Sequence, residues 1–158
     1  MLLNNYFECK VKFDNDAEGG KIVKTSETYL VEAMNFTDAE TRITEEVAPF
    51  CSGEFEVTDI KKAKYEELFM SDREMDDKWY KVKVNFITLD EKSQTEKKSA
   101  HLMLVQSCGV KAALAKYEEG MKNSMMDWDI ALIQETPILD VYSLEAGRAL
   151  STAQSAEE

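Results

Sequence analysis

The chain of 158 residues carries 31 acidic against 19 basic side chains, a net charge of -12 with histidine neutral. Such a surface repels polyanions at long range, which excludes a general basic coat for nucleic acid and leaves only a local patch. Hydrophobic content of 44% with 6 glycines and 2 prolines describes an ordered globular chain, and no apolar run approaches the roughly 20 residues of a membrane span.

Tyr6 to Phe13 alternates large apolar and polar residues at period two, the pattern of a strand buried on one face and wet on the other. Phe7, Cys9, Val11 and Phe13 share one face, and Tyr6, Glu8, Lys10 and Lys12 the other. The polar stretch from Asp14 to Gly20 follows as a turn, with Gly19 and Gly20 free to take positive φ. A returning strand is predicted over Lys21 to Met34, its apolar centre at Tyr29, Leu30 and Val31.

A helix start is predicted at Asn35 to Glu40, with Thr37 and Glu40 spaced as a capping box. Ala39, Ile43 and Val47 recur every fourth residue as its buried stripe, and Pro49 stops it. Phe55, Val57 and Ile60 then mark a third strand, whose uneven spacing predicts a bulge near Asp59. That line runs on through Lys61, Lys62 and Lys64 to Leu68 and Phe69, and Ser71 to Asp77 reads as a charged linker.

The same order then restarts. Trp79, Tyr80, Val82, Lys83, Val84 and Phe86 match Tyr6, Phe7, Cys9, Lys10, Val11 and Phe13, 73 positions earlier (79 - 6 = 73). A polar turn over Asp90 to Glu96 and a strand from Lys97 to Ser107 follow, and a helix is predicted from about Val110 to Asn123. Ala113, Tyr117 and Met121 lie 74 positions after Ala39, Ile43 and Val47 (113 - 39 = 74). Trp128, Ile130 and Ile133 repeat Phe55, Val57 and Ile60, and Ile138, Val141 and Tyr142 repeat Tyr65, Leu68 and Phe69 at 73 positions (128 - 55 = 73).

The pattern predicts an α+β fold made by tandem duplication of a strand-strand-helix-strand unit, with antiparallel sheets and helices packed on one face. The first repeat spans residues 1–70, the linker 71–77, the second repeat 78–142, and an acidic tail 143–158 completes the chain. A unit of about 65 residues makes a marginal core alone, so the repeats are expected to share one interior.

Cys9, Cys51 and Cys108 stand at no disulfide or zinc spacing and read as free thiols of a reducing cytoplasm. The start, Met-Leu-Leu-Asn-Asn-Tyr, lacks the basic flank and apolar run of a secretory signal. Asp14, Asp16, Glu18 and Gly19 imitate half of a calcium loop, but Thr25 stands where the closing glutamate belongs, so no metal site is assigned. His101, the single histidine, has no nucleophile or base partner recognisable from spacing and reads as an outward polar residue. No P-loop, dinucleotide turn or CxxC is present, so neither a cofactor nor an enzyme is expected.

The outward face of the two matching strands carries Tyr6, Lys10 and Lys12 in one copy and Trp79, Lys81 and Lys83 in the other. Aromatic rings beside cations on an open sheet suit single-stranded nucleic acid, whose bases stack and whose phosphates need neutralising. The competing account is that these lysines solvate and protect the sheet. The alternative function is capture of a small ligand, such as a nucleotide signal, or inhibition of a host protein, in a cleft between the repeats. The acidic tail would then offer a contact for a protein partner.

The strings Tyr6 to Val11, Thr28 to Ala33, Ser52 to Lys61, Phe86 to Lys92 and Met103 to Gln106 resemble an uncharacterised domain-of-unknown-function family of Bacteroides-group bacteria and their phages. The resemblance runs from about residue 5 to residue 142. It implies a small cytoplasmic protein of a phage or mobile element and carries over no functional residue.

Overall fold

The computed structural model describes residues 5–16, 19–51 and 53–144, with the side chains of residues 15 and 16 also left undescribed. Eight strands and two helices follow one another among them: β1 (Asn5–Asp16), β2 (Ile22–Ala33), α1 (Phe36–Val47), β3 (Phe55–Ala63), β4 (Tyr65–Phe69), β5 (Lys78–Asp90), β6 (Thr95–Ser107), α2 (Val110–Met121), β7 (Asp127–Glu135) and β8 (Ile138–Tyr142). The fold is α+β, mostly sheet, in two sheets dominated by antiparallel pairs. The chain forms two compact units, one of residues 1–63 and 138–158, the other of residues 64–137. No helix among the described residues is long and apolar enough to cross a membrane.

In the first unit the strand order is β3-β1-β2-β8. The hairpin of β1 and β2 sets Phe7 opposite Val31, Cys9 opposite Tyr29 and Val11 opposite Glu27. Gly19 and Gly20 both take positive φ, 85° and 76°, where a side chain would be strained. Phe7, Cys9, Val11, Val31 and Ala33 form one core with Ala39, Ile43 and Val47 of α1. The partner of β1 slips by one residue where Lys10 meets Asp59 but Val11 meets Val57, leaving Thr58 as the bulged residue.

The helix begins earlier than its capping-box spelling predicts. Asn35 is extended (φ -157°, ψ 179°) and its side chain accepts from the Asp38 N–H at 2.8 Å, while Asp38 accepts from the Met34 N–H at 3.0 Å. Thr37 therefore sits inside the first turn, where its carbonyl accepts from the Thr41 hydroxyl. Asparagine outcompetes threonine as a cap because its amide oxygen reaches the third residue without leaving the extended backbone.

In the second unit the order is β4-β6-β5-β7. Tyr80, Val82, Val84, Met103 and Val105 form its core with Ala113 and Tyr117 of α2. A slip like that of the first sheet falls between Lys83, opposite Leu132, and Val84, opposite Ile130. At Gly120 a Cβ would stand 2.7 Å from the Phe69 ring, so a larger residue there must displace that ring.

Two features depart from the antiparallel reading. Residues 61–69 are not one continuous line: β3 ends at Ala63, and β4 pairs in parallel with β6, Tyr65 beside Leu102 and Phe69 beside Val105. Likewise β8 pairs in parallel with β2, Leu30 beside Val141 and Val31 beside Tyr142. Each sheet thus ends in a short parallel strand, and period-two alternation carries no information about strand direction.

The charged stretch before β5 is tied down within the second unit. Ser71 donates its N–H to Gln106 Oε1 at 2.8 Å and its hydroxyl to Asp76 at 2.5 Å. Gln106 Nε2 donates to the Asp76 carbonyl at 3.0 Å, and Lys116 donates to the carbonyls of Met70 and Gln106 at 2.9 and 3.0 Å. Burial holds the Lys116 ammonium below its ordinary pKa.

Two substitutions test these cores. Ile138→Ala removes a buried β8 side chain and is expected to cost about 2–5 kcal/mol in urea unfolding, with hydrogen exchange of the β2 amides rising. Tyr117 is 0% exposed and its hydroxyl has no hydrogen-bond partner among the described residues; Tyr117→Phe is expected to raise stability by about 1 kcal/mol, because the unsatisfied group is removed with its shape retained.

Candidate functional site

The six residues expected on an outward aromatic and basic face divide into two sets. Tyr6 and Trp79 do turn away from the helix-facing cores, since they alternate with Phe7 and Tyr80. Their rings are nevertheless buried, at 7% and 2% exposure, so neither presents a face on which a base can stack. Leu30 and Thr28 on the same face of the first sheet are buried too, as is Leu104 in the second. The Tyr6 hydroxyl lies 3.4 Å from Glu32, and the Trp79 carbonyl accepts from both the N–H and the hydroxyl of Thr136 at 2.9 and 2.8 Å. That end of each sheet is buried on both of its faces.

Lys10, Lys12 and Lys83 are exposed and Lys81 is half-buried. In the first sheet the cations are interleaved with acids: Lys10 stands beside Asp59, Lys12 beside Glu56, and Lys61 beside Glu8. Opposite charges paired across strands stabilise the sheet and leave little net field for a polyanion. Lys81 and Lys83 have uncharged cross-strand neighbours, Leu104 and Gln134 for the first, Leu102 and Leu132 for the second.

A concave site forms instead on the helix side of the first sheet. A cavity of about 210 Å³ is lined by Val11 and Phe13 of β1, Glu27 and Tyr29 of β2, Val47 at the end of α1, and Phe50 and Cys51 just beyond it. Alternation places Glu27 here: opposite Val11, it points to the face that the rest of the strand fills with apolar side chains. Pro49 sets the short 3-10 turn Ala48–Phe50 that carries the chain over the opening. Phe50 is 80% exposed.

The polar end of the cavity is a coupled pair. The Tyr29 hydroxyl donates to Glu27 Oε2 at 2.5 Å, and Glu27 Oε1 makes no hydrogen bond among the described residues. The Tyr29 ring stacks on Tyr142 of β8, centroids 5.8 Å apart and planes at 25°. Burial, then the hydrogen bond to Glu27, pushes the Tyr29 phenol far above its usual value, while burial and the nearby acids Asp140, Glu46 and Glu27 push Tyr142 up to about 12. The phenols therefore stay protonated and act as donors. The Cys51 thiol is raised by burial and by Glu27.

A second cavity of about 270 Å³ in the other unit is lined by Ser71, Arg73, Asp76, Ser107, Cys108, Ala112 and Lys116. Ser71, Asp76 and Lys116 are the groups that fasten the charged stretch, so their hydrogen bonds are already committed. All three cysteines are free. No cluster of three or more potential metal ligands occurs among the described residues, and Glu18 of the calcium-like stretch lies outside them, as does the tail from residue 145 onward.

Sequence reasoning missed Glu27, Tyr29 and Phe50. One signal was present: an acid two residues before a tyrosine, in phase with the buried face of a strand, marks a polar group set into an apolar layer.

The architecture is that of an α+β protein with a small open cavity beside the end of one helix. The chain matches a family described as Domain of unknown function (DUF4494) over residues 5–144, and it belongs to that family. No curated protein matches it.

The raised phenols give a pH dependence. A group whose folded pKa lies above its unfolded value stabilises the fold fully below the unfolded pKa and loses that contribution as pH rises through the folded one. Tyr117, raised chiefly by burial, and Tyr142 both ionise at about 12, so stability is expected to fall between about pH 10 and pH 12. At pH 11 the tyrosinate absorbance of the native protein should lack the contributions of Tyr29, Tyr117 and Tyr142 and gain them on adding urea.

Proposed function

We propose that this protein acts by binding a small flat heteroaromatic ligand, one that carries an N–H donor, in the cavity of the first unit. The observation that carries the reading is the pairing of Glu27 and Tyr29 at the polar end of an otherwise apolar pocket. Val11, Phe13, Val47 and Phe50 supply the contact area, and Glu27 Oε1, which makes no hydrogen bond among the described residues, supplies an acceptor. A cavity of about 210 Å³ is below the roughly 300–1,000 Å³ of sites for drug-sized molecules, which restricts the occupant to one or two fused rings. A nucleobase, free or as the exposed end of a nucleotide, meets each requirement. On this reading ligand capture lies inside one unit rather than in a cleft between repeats. The single-stranded nucleic-acid reading loses its stacking platform with the burial of Tyr6 and Trp79.

The finer architecture belongs to the same proposal. The chain is read as a duplicated strand-strand-helix-strand unit, each copy followed by a short fourth strand, β4 or β8, that has joined the sheet of the other copy. Support comes from the matching strand orders, from bulges at Thr58 and Ala131, 73 positions apart (131 - 58 = 73), and from the parallel pairing of both fourth strands. The setting implied by the resemblance, the cytoplasm of a Bacteroides-group cell carrying a phage or mobile element, agrees with three unpaired cysteines.

Cys51 lines the cavity and Cys108 does not, which gives an internal control. Iodoacetamide labelling at pH 9, followed by peptide mass spectrometry, is expected to show Cys51 alkylation slowed several-fold by saturating adenine, cytosine or indole, with Cys108 unaffected. Glu27→Leu should abolish the protection. If none of the three compounds shields Cys51, or the shielding survives Glu27→Leu, the site does not bind in this way.

A further inference from the structure

The register position occupied by Glu27 in the first sheet is occupied by His101 in the second: Glu27 faces Val11, and His101 faces Val84. Two residues earlier on each strand stand Thr25, opposite Phe13, and Ser99, opposite Phe86. Both sheets thus place polar side chains on the helix-facing side of their second strand. In the second unit these groups form a chain. His101 Nδ1 lies 2.6 Å from Glu66 Oε2 of β4, and His101 Nε2 lies 2.8 Å from Ser99 Oγ. The Phe86 ring packs against the imidazole at 4.8 Å and fixes its plane.

From this geometry we infer that Ser99 is an activated hydroxyl, a nucleophile toward small acyl esters, with His101 as its general base and Glu66 as the residue that orients His101. A carboxylate only accepts hydrogen bonds, so Glu66 fixes the imidazole proton on Nδ1. Nε2 is then a lone pair aimed at the serine, the arrangement that lets a weak hydroxyl nucleophile attack. The oxygen of Ser99 forms a bond to the ester carbonyl carbon as its proton passes to Nε2. The tetrahedral adduct collapses, the bond to the leaving oxygen breaks, and that oxygen takes the proton from Nε2. Water, deprotonated by the same nitrogen, releases the acyl group and restores Ser99.

Two features of the sheet assist. Ser99 is exposed, so an ester reaches it without displacing core residues. The pairing of β4 with β6 begins only at Leu102, so among the described residues Ser99 and His101 are paired on the β5 side alone. Backbone N–H groups along that open edge of β6 are donors available to a developing oxyanion. The substrate class is a small, unhindered ester of an aryl or other good leaving group, since no deep pocket encloses the serine.

This activity is independent of ligand capture in the first unit, and either can fail alone. Incubation of the full-length protein with a fluorophosphonate probe at pH 8, read by peptide mass spectrometry, is expected to label Ser99 at least ten-fold faster than Ser93, an exposed serine of the hairpin turn. Ser99→Ala should remove the labelling, and His101→Gln should reduce it to the rate of Ser93. Glu66→Gln should shift its pH profile, which a purely structural partner would not do. Thermal melts of each variant establish that it is folded, and p-nitrophenyl acetate should give a burst in the unaltered protein that Ser99→Ala abolishes. Equal labelling of Ser99 and Ser93 in the unaltered protein would reduce the three residues to a surface hydrogen-bond chain joining β4 to β6.

Discussion

The structure depends most on two short strands that pair in parallel at the edge of each sheet. Parallel neighbours cannot be joined by a tight turn and need a crossover, so such pairs bring distant parts of the chain together. In the first unit this is extreme: β8 lies beside β2, Val141 next to Leu30, across more than half of the sequence. The first unit is consequently not contiguous, and it is complete only when residues from 138 onward have been added to residues 1–63. Contacts so far apart are entropically costly to form before the core rewards them, which slows folding.

That pairing also builds the chemistry. Tyr142, which stacks on Tyr29 at the polar end of the cavity, arrives on β8. Glu66, which holds His101, arrives on β4. In both sheets the edge strand delivers the third member of a polar group whose first two members lie two residues apart on one strand, Glu27 with Tyr29 and Ser99 with His101. Glu27, Ser99 and His101, set into the helix-facing layer, are each hydrogen-bonded, whereas the Tyr117 hydroxyl has no partner among the described residues.

The overall charge gains a different meaning from the strands. Among the first sheet's lysines, each cation next to β3 has an acid as its cross-strand neighbour, so the visible basic cluster is largely cancelled where it stands. The net charge of -12 then acts as a general self-repulsion between molecules.

The sequence alone determined the elements: the alternation of Phe7, Cys9, Val11 and Phe13, the four-residue spacing of Ala39, Ile43 and Val47, and the bulge in the third strand all follow from the periods of side chains along a strand or helix. These are local rules, and they acted where predicted, apart from the helix start that Asn35 took from Thr37 and the break at Lys64 that separates β3 from β4. Only the tertiary structure decided which faces were covered. Period two separates two faces of a strand but cannot say that both are buried, which is why Tyr6 and Trp79 are core rather than surface. It decided also that His101 has partners, because Glu66 lies 35 residues away on a strand whose direction and neighbour the alternation leaves open. Local spacing fixes what a segment becomes; the pairing of distant segments fixes which chemistry they share.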